Sequence, residues 1–303
     1  MTTIEATGMR VMLATDDSAS ARTAEEWVTR LRYGKPPIID VVCVAGRGLT
    51  RLGWGMQTYR GPVRLAVEGL RQSELHAAER IANEVGERLQ GAGLTVHTWA
   101  RQGDCCQELL AMVGVDRPDL VVVGPRGRSG LAAAILGSVT HGLIANAETP
   151  VLVARPPLAT EGQVPEHVLL VVDGSSSAAA AVGWLDRAGW LRGGGRVTVL
   201  GLLGDRAGLE NDEPELISEV ARLVRSDATE TLEQLARPFA RGDIALDFAL
   251  RGGHPLQATL DAVSEFGVDL VAVARPLRRQ GRDPIPEKIA RHSAVSVLLV
   301  PQP

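Results

Sequence analysis

Three short stretches in the first half of the chain carry residue types and spacings suited to holding an anion on a polar, hydroxyl-bearing body. Gly124-Pro125-Arg126-Gly127-Arg128 closes a run of β-branched residues, and with nine residues between it and Gly127 comes Gly137-Ser138-Val139-Thr140 at the start of a predicted helix. Glycines let backbone N–H groups come close to a phosphate, and a helix N-terminus offers unpaired donors and a favourable dipole. The Ser138 and Thr140 hydroxyls add donors, while Arg126 and Arg128 add charge. The third stretch, Thr15-Asp16-Asp17-Ser18, places a carboxylate where it can accept from a sugar hydroxyl or a base, with Ser18 positioned to cap the helix that follows.

These stretches need a scaffold, and the chain repeats one. RVMLATDDS (10–18) aligns with HVLLVVDGS (167–175), so that Asp16 matches Asp173 and Trp27 matches Trp184. PDLVVVGP (118–125) aligns with VDLVAVAR (268–275), and TPVLVARP (149–156) with VSVLLVPQ (295–302). Within each copy, short β-branched runs alternate with segments of helical period, the pattern of βαβ units. In the first copy this predicts strands near 10–15, 39–45, 95–101, 119–124 and 150–154, and helices near 19–32, 66–92, 104–116 and 138–147. In the second it predicts strands near 167–172, 196–203, 244–250, 269–274 and 296–300. Runs such as VVVG and VLVA are apolar on both faces, as in a sheet covered by helices on each side. The long helix would bury Val67, Leu70, Leu75, Ala78, Ile81, Val85 and Leu89. The expected architecture is α/β: two tandem Rossmann-like domains, each a doubly wound, five-stranded parallel sheet, over 9–155 and 166–303. A proline-rich linker over 156–165 joins them. Such sheets bind ligands beyond the strands' carboxyl ends, where the strand order reverses.

Composition narrows the function. Of 303 residues, 32 are basic and 36 acidic, a net charge of −4 that gives no basic field for nucleic acid. Lys35 and Lys288 are the only lysines and neither lies in a GxxxxGK[ST] context, which excludes P-loop NTPases. Cys43, Cys105 and Cys106 form neither a disulfide framework nor a CxxC metal site, and they suit a reducing cytoplasm. The first ten residues lack the apolar core of a secretory signal. The uncharged stretch 129–147 contains three glycines and several polar residues, which argues against a membrane span.

With ATDDS, GPRGRSGLAAAILGSVT and TPVLVAR in the first copy and VVDGSSSAAAAV with HPLQATLDAVSEFGVDLVAVAR in the second, the chain resembles the universal stress protein family over nearly its whole length. The resemblance is to the ATP-binding branch in tandem form. It implies a cytoplasmic stress-response regulator that holds ATP, with magnesium left open. Ala14, Thr15 and Asp16 would border adenine and ribose, Val44 would pack on the adenine, and Gly124, Arg126, Gly127, Gly137, Ser138, Val139 and Thr140 would surround ribose and phosphates. Asp17 stands where a glycine is commoner. The family pairs through edge strands, which implies an intrachain pairing of the two copies and leaves a further homodimer open. An alternative from another class is an enzyme using the same pocket for slow ATP hydrolysis or adenylyl transfer, although neither SGGxDS nor HIGH with KMSKS is present.

The second copy departs from this pattern. Its segment ARPLRRQGRDPIPEKIA lacks both glycine motifs, is four residues shorter, and carries Pro284 and Pro286 where helix donors are needed. Nucleotide is therefore expected in the N-terminal domain only, with Arg275, Arg278, Arg279 and Arg282 read as a solvated basic loop. His141 reads as a helix-surface residue, Cys105 and Cys106 as helix packing, and Trp27 and Trp184 as packing residues. The stretch 46–62, with Trp54, Met56 and Tyr59, reads as a surface loop.

Overall fold

The computed structural model describes residues 8–46, 61–127, 136–157, 162–172, 178–203, 230–241, 243–276 and 284–302. Arg128, Asp173, Gly174, Ser175, Arg278, Arg279, Arg282, Trp54, Met56 and Tyr59 lie outside them. Two compact units divide the described residues: 8–29 with 35–155, and 30–34 with 156–302.

The first unit runs β1 (Arg10–Thr15), α1 (Ala19–Arg30), β2 (Ile38–Ala45), α2 (Pro62–Gly91), β3 (Thr95–Gln102), α3 (Cys105–Asp116), β4 (Leu120–Val123), α4 (Ser138–Asn146) and β5 (Val151–Val153). All its strand pairs are parallel, in the order β3-β2-β1-β4-β5. The chain winds outward from β1 to β3 and then returns to β4, so the order reverses between β1 and β4. Right-handed crossovers place α1 and α2 on one face and α3 and α4 on the other. Every residue of β4 and β5 is buried, as double-sided cover requires, whereas the edge strand β3 is mostly exposed.

The second unit repeats the plan with β6 (His167–Val172), α5 (Ala178–Ala188), β7 (Arg196–Leu203), β8 (Ala245–Gly252), α6 (Pro255–Phe266), β9 (Leu270–Arg275), α7 (Ile285–His292) and β10 (Ser296–Pro301). The order β8-β7-β6-β9-β10 is again parallel throughout. The α/β, doubly wound reading of both copies therefore holds.

The aspartate before the fourth strand of each repeat has one task in both units. Asp119 accepts from Arg10 N at 2.8 Å, and Asp269 accepts from His167 N at 3.0 Å. Each aspartate's own N–H returns a bond to the same residue's carbonyl, at 2.8 and 2.9 Å. This clamp fixes the register of the two strands flanking each switch point. Trp27 is fully buried and donates from Nε1 to the Arg155 carbonyl at 2.7 Å, while Trp184 packs edge-on against Trp190 with ring centroids 4.9 Å apart.

The long helix differs from expectation. It begins at Pro62 rather than near 66, and its 30 residues span about 45 Å. Ala78, Ala82, Val85 and Leu89 are buried, but Leu70 is 56% exposed and Leu65 76%. The apolar period continues past the end of the sheet, so its first turns have no strands to cover.

At the amino end of the first sheet, the buried Asp40 carboxylate accepts from Arg10 Nε at 2.5 Å and from Trp99 Nε1 at 3.1 Å, with His97 Nδ1 at 3.5 Å. Burial pushes its pKa up, but the hydrogen bonds from Arg10, Trp99 and His97 and the Arg10 charge outweigh burial and leave it below the usual value. A carboxylate with a depressed folded pKa stabilises the fold above its unfolded pKa and loses that contribution as pH falls through the folded one. Asp40→Asn should lower the urea midpoint at pH 7, by an amount equivalent to about 1 to 3 kcal/mol. The gap from wild type should close below about pH 4; a gap independent of pH would contradict this account.

Candidate functional site

The carboxyl ends of β1, β2 and β4 meet the N-termini of α3 and α4 around a cavity of about 460 Å3. The turn after β1 is built by its own side chains. Asp16 Oδ1 accepts from Ser18 N at 3.1 Å, Thr15 Oγ1 accepts from Asp17 N at 3.2 Å, and Ser18 Oγ accepts from Ala21 N at 3.3 Å to cap α1. Asp17 adopts φ +57°, the left-handed conformation that a glycine there would take without cost. Aspartate tolerates that region better than most residues, and the Asp17 carboxylate is held by Arg22 at 3.3 Å and Arg88 at 3.8 Å.

The two glycine turns lie together. Gly137 N donates to the Pro125 carbonyl at 2.8 Å, and the buried Thr140 hydroxyl donates to the Gly124 carbonyl at 2.8 Å. They join the start of α4 to the end of β4 and aim the first amides of the helix into the cavity. Gly124 and Gly137 are glycines for different reasons. A Cβ on Gly124 would stand 2.5 Å from the Ser20 carbonyl oxygen, so its bareness serves packing against α1. A Cβ on Gly137 would meet nothing nearer than Arg126 Cα at 3.4 Å, and its φ of −63° suits any residue. Among the described residues, no close contact explains the glycine at 137. No hydrogen bond joins the Ser138 hydroxyl to another described residue.

All eleven residues singled out from the sequence line this cavity: Ala14, Thr15, Asp16, Val44, Gly124, Arg126, Gly127, Gly137, Ser138, Val139 and Thr140. Sequence reasoning missed Ala21, Val42, Gly46, Asp104, Cys105, Leu109 and Val123, which also line it. Asp104 caps α3, accepting from Cys106 N and Gln107 N at 3.1 and 3.0 Å, and an aspartate three residues beyond a strand was the available signal. The Cys105 thiol faces the Val44 carbonyl at 3.8 Å. Its neighbour Cys106 packs under α4, where a Cβ on Gly142 would fall 2.2 Å from the sulfur, and burial raises the Cys106 thiol pKa, helped by Asp104 and Cys105. His141 is not among the lining residues.

Charge is graded along the cavity. Asp16 and Asp104 lie toward β1 and β3, whereas Arg126 lies at the glycine turns. Arg155, just beyond β5, does not line the cavity; burial pushes its pKa down to about 10, and the Arg126 charge contributes. Among the described residues there is no cluster of three or more His, Cys, Asp or Glu that could hold a metal ion, and no helix is long and apolar enough to cross a membrane.

The equivalent place in the second unit is built differently. Where Pro125 and His141 stand in the first unit, the second has Arg275 and Glu287, 3% and 4% exposed. Burial pushes the Arg275 pKa down to about 10, and the Glu287 charge opposes that shift. α7 starts after Pro284 with Pro286 in its first turn, so two amides that α4 has are missing here.

Parallel doubly wound units in tandem, one with a glycine-lined cavity at its switch point, define a class of tandem Rossmann-like α/β proteins. The chain belongs to the universal stress protein family, which it matches over residues 9–155 and again over 165–301. It is 27% identical over 190 residues to the universal stress protein Rv1996 of Mycobacterium tuberculosis, covering 58% of this chain and 57% of that one. It is 37% identical over 65 residues to the universal stress protein MJ0531 of Methanocaldococcus jannaschii, covering 38% of that protein. These matches span less than two thirds of either relative. A universal stress protein from Archaeoglobus fulgidus has the same fold over 97% of this chain and 96% of its own, with a TM-score of 0.66 at 18% identity.

Two substitutions separate packing from site chemistry. Gly124→Ala should cost about 1 to 3 kcal/mol through overpacking against α1, measured by denaturant unfolding. Glu287→Gln should destabilise the second unit by about 3 to 5 kcal/mol, because the buried guanidinium keeps its charge and loses its counter-charge. A neutral Glu287→Gln would mean that the pair does not hold that region together.

Proposed function

We propose that the first unit binds an adenine nucleotide, ATP foremost, as a held or sensed ligand, and that the protein acts as a stress-response regulator with nucleotide in this unit only. The graded cavity carries the reading. A nucleotide has an anionic end that wants amides and guanidinium groups, a sugar whose hydroxyls donate, and a flat apolar base. The cavity offers, in that order along the strand ends, the α4 amides with Arg126, the Asp16 carboxylate, and the Val42, Val44 and Leu109 side chains.

Two further observations support it. Among the described residues no close contact requires Gly137 to be bare, which is consistent with room over the α4 amides for a ligand. The 460 Å3 volume lies in the range of small-ligand sites. In the second unit two helix amides are lost to proline, and buried Arg275 and Glu287 stand where the first unit has Pro125 and His141, which supports restricting nucleotide to the first unit. Family membership supports a stress-linked role. Magnesium, where it accompanies the triphosphate, would be carried in by the phosphates. The enzymatic alternative has no observation that favours it over retention of the ligand.

The test is thermal unfolding with and without ATP. At about 100 times the dissociation constant, ATP should add roughly 2.7 kcal/mol of stability to the first unit. Gly137→Asn should abolish this response while leaving the protein as stable or more so. Asparagine is a strong N-cap whose side chain bonds the second or third helical amide, so it would occupy the donors meant for phosphate. Equilibrium dialysis should find one nucleotide per chain. Two per chain, or an ATP response that survives Gly137→Asn, would overturn the reading.

A further inference from the structure

We propose that Glu74 makes the first unit selective for nucleotides whose ribose 2′ and 3′ hydroxyls are free, and against those carrying a phosphate on that edge of the sugar. The inference rests on the nucleotide reading above and adds a discriminating residue to it. Adjacent strands lie about 4.8 Å apart, so the ends of β2, β1 and β4 form three neighbouring positions along the cavity floor. Apolar Val42 and Val44 stand at the first, Asp16 follows the second, and Gly124 with Arg126 follows the third. A ligand with phosphate at the third position and base at the first lays its sugar across the end of β1, against Asp16.

Beside Asp16 a second recess of about 130 Å3 opens toward α2. It shares Asp16, Val44 and Gly46 with the main cavity, and Glu74, Ala77, Ala78 and Ile81 of α2 form its far wall. Among the described residues, Asp16 and Glu74 are the charged groups lining it. No hydrogen bond or ion pair joins Glu74 to another described residue. The helix carrying it is tied to the end of β3 one turn earlier, where the Gln102 side chain donates to the Arg71 carbonyl at 3.0 Å.

Sugar hydroxyls entering this recess find two carboxylate acceptors. A phosphate monoester in the same place donates nothing at neutral pH and faces two like charges in a space too small for a full hydration shell. Asp16 alone would attract a free ribose; Glu74 adds repulsion, which is how a site gains selectivity it could not reach by attraction.

The experiment compares ADP with adenosine 3′-phosphate 5′-diphosphate, which differ only by the phosphate on the sugar edge, using titration calorimetry on the full chain. Wild type should prefer ADP at least tenfold. Glu74→Gln, which keeps shape and removes charge, should cut that preference severalfold by improving binding of the 3′-phosphorylated ligand while changing ADP affinity less than about threefold. Glu74→Arg should cut it further. Equal affinities in wild type, or a preference unchanged in Glu74→Gln, would overturn the filter and leave the nucleotide reading standing. Failure of ADP and ATP to bind at all would overturn both.

Discussion

The site of the first unit depends on two hydrogen bonds at the switch point: Gly137 N to the Pro125 carbonyl, and the Thr140 hydroxyl to the Gly124 carbonyl. Strand β4 has four residues and α4 nine, and the segment joining them is longer than either. Nothing in a βαβ crossover of that length fixes the direction of the helix N-terminus. The two bonds do so at both ends of its first turn. The Thr140 bond is fully buried, where a lost hydroxyl partner is costly. Cys106 beneath Gly142 closes the other side, since only a helix without a Cβ at 142 can approach α3 so closely. The start of α4 is therefore held in place by the protein's own bonds, so under the proposed nucleotide reading binding need not order it.

The two units show one scaffold meeting one problem in two ways. Both keep the aspartate clamp between their first and fourth strands, Asp119 and Asp269, because register across the switch point is a requirement of the fold itself. They part at the next turn. The first leaves a carbonyl, a hydroxyl and bare amides around open space. The second buries Arg275 and Glu287 and starts its helix with proline. A buried pair of opposite charges adds little net stability over an apolar substitute but is costly to disrupt.

Much of this was legible in the sequence because the signals are local. Strand runs, the 157-residue offset between Asp16 and Asp173, and glycines at fixed distance after a β-branched run all sit within a few residues of what they specify. What could not be read depends on a neighbour remote in sequence. Gly124 looks like a phosphate-binding glycine, yet the atom that forbids its Cβ belongs to Ser20, about a hundred residues earlier. Asp104 and Cys105 reach the cavity because β3 ends beside β2, which no periodicity reveals. The apolar stripe of α2 predicted burial for Leu70 that the sheet is too short to provide. Pattern reports which face is apolar but not where the covering surface stops.

Asp17 shows how far one local rule bends without breaking the site. The turn after β1 requires a left-handed residue, and aspartate there is strained by the carbonyl that glycine avoids. The strain is offset by charge: Arg22 of α1 and Arg88 of α2 both reach the Asp17 carboxylate, and Arg88 pairs closely with Glu25 at 2.7 Å. A glycine would make the turn alone. The aspartate makes the same turn and also ties it to two helices on one face of the sheet. Because Asp16 is the preceding residue, whatever holds Asp17 in its left-handed conformation also fixes the carboxylate that lines the cavity. The Arg22, Glu25 and Arg88 cluster thereby braces a residue that lines the cavity, although none of the three lines it.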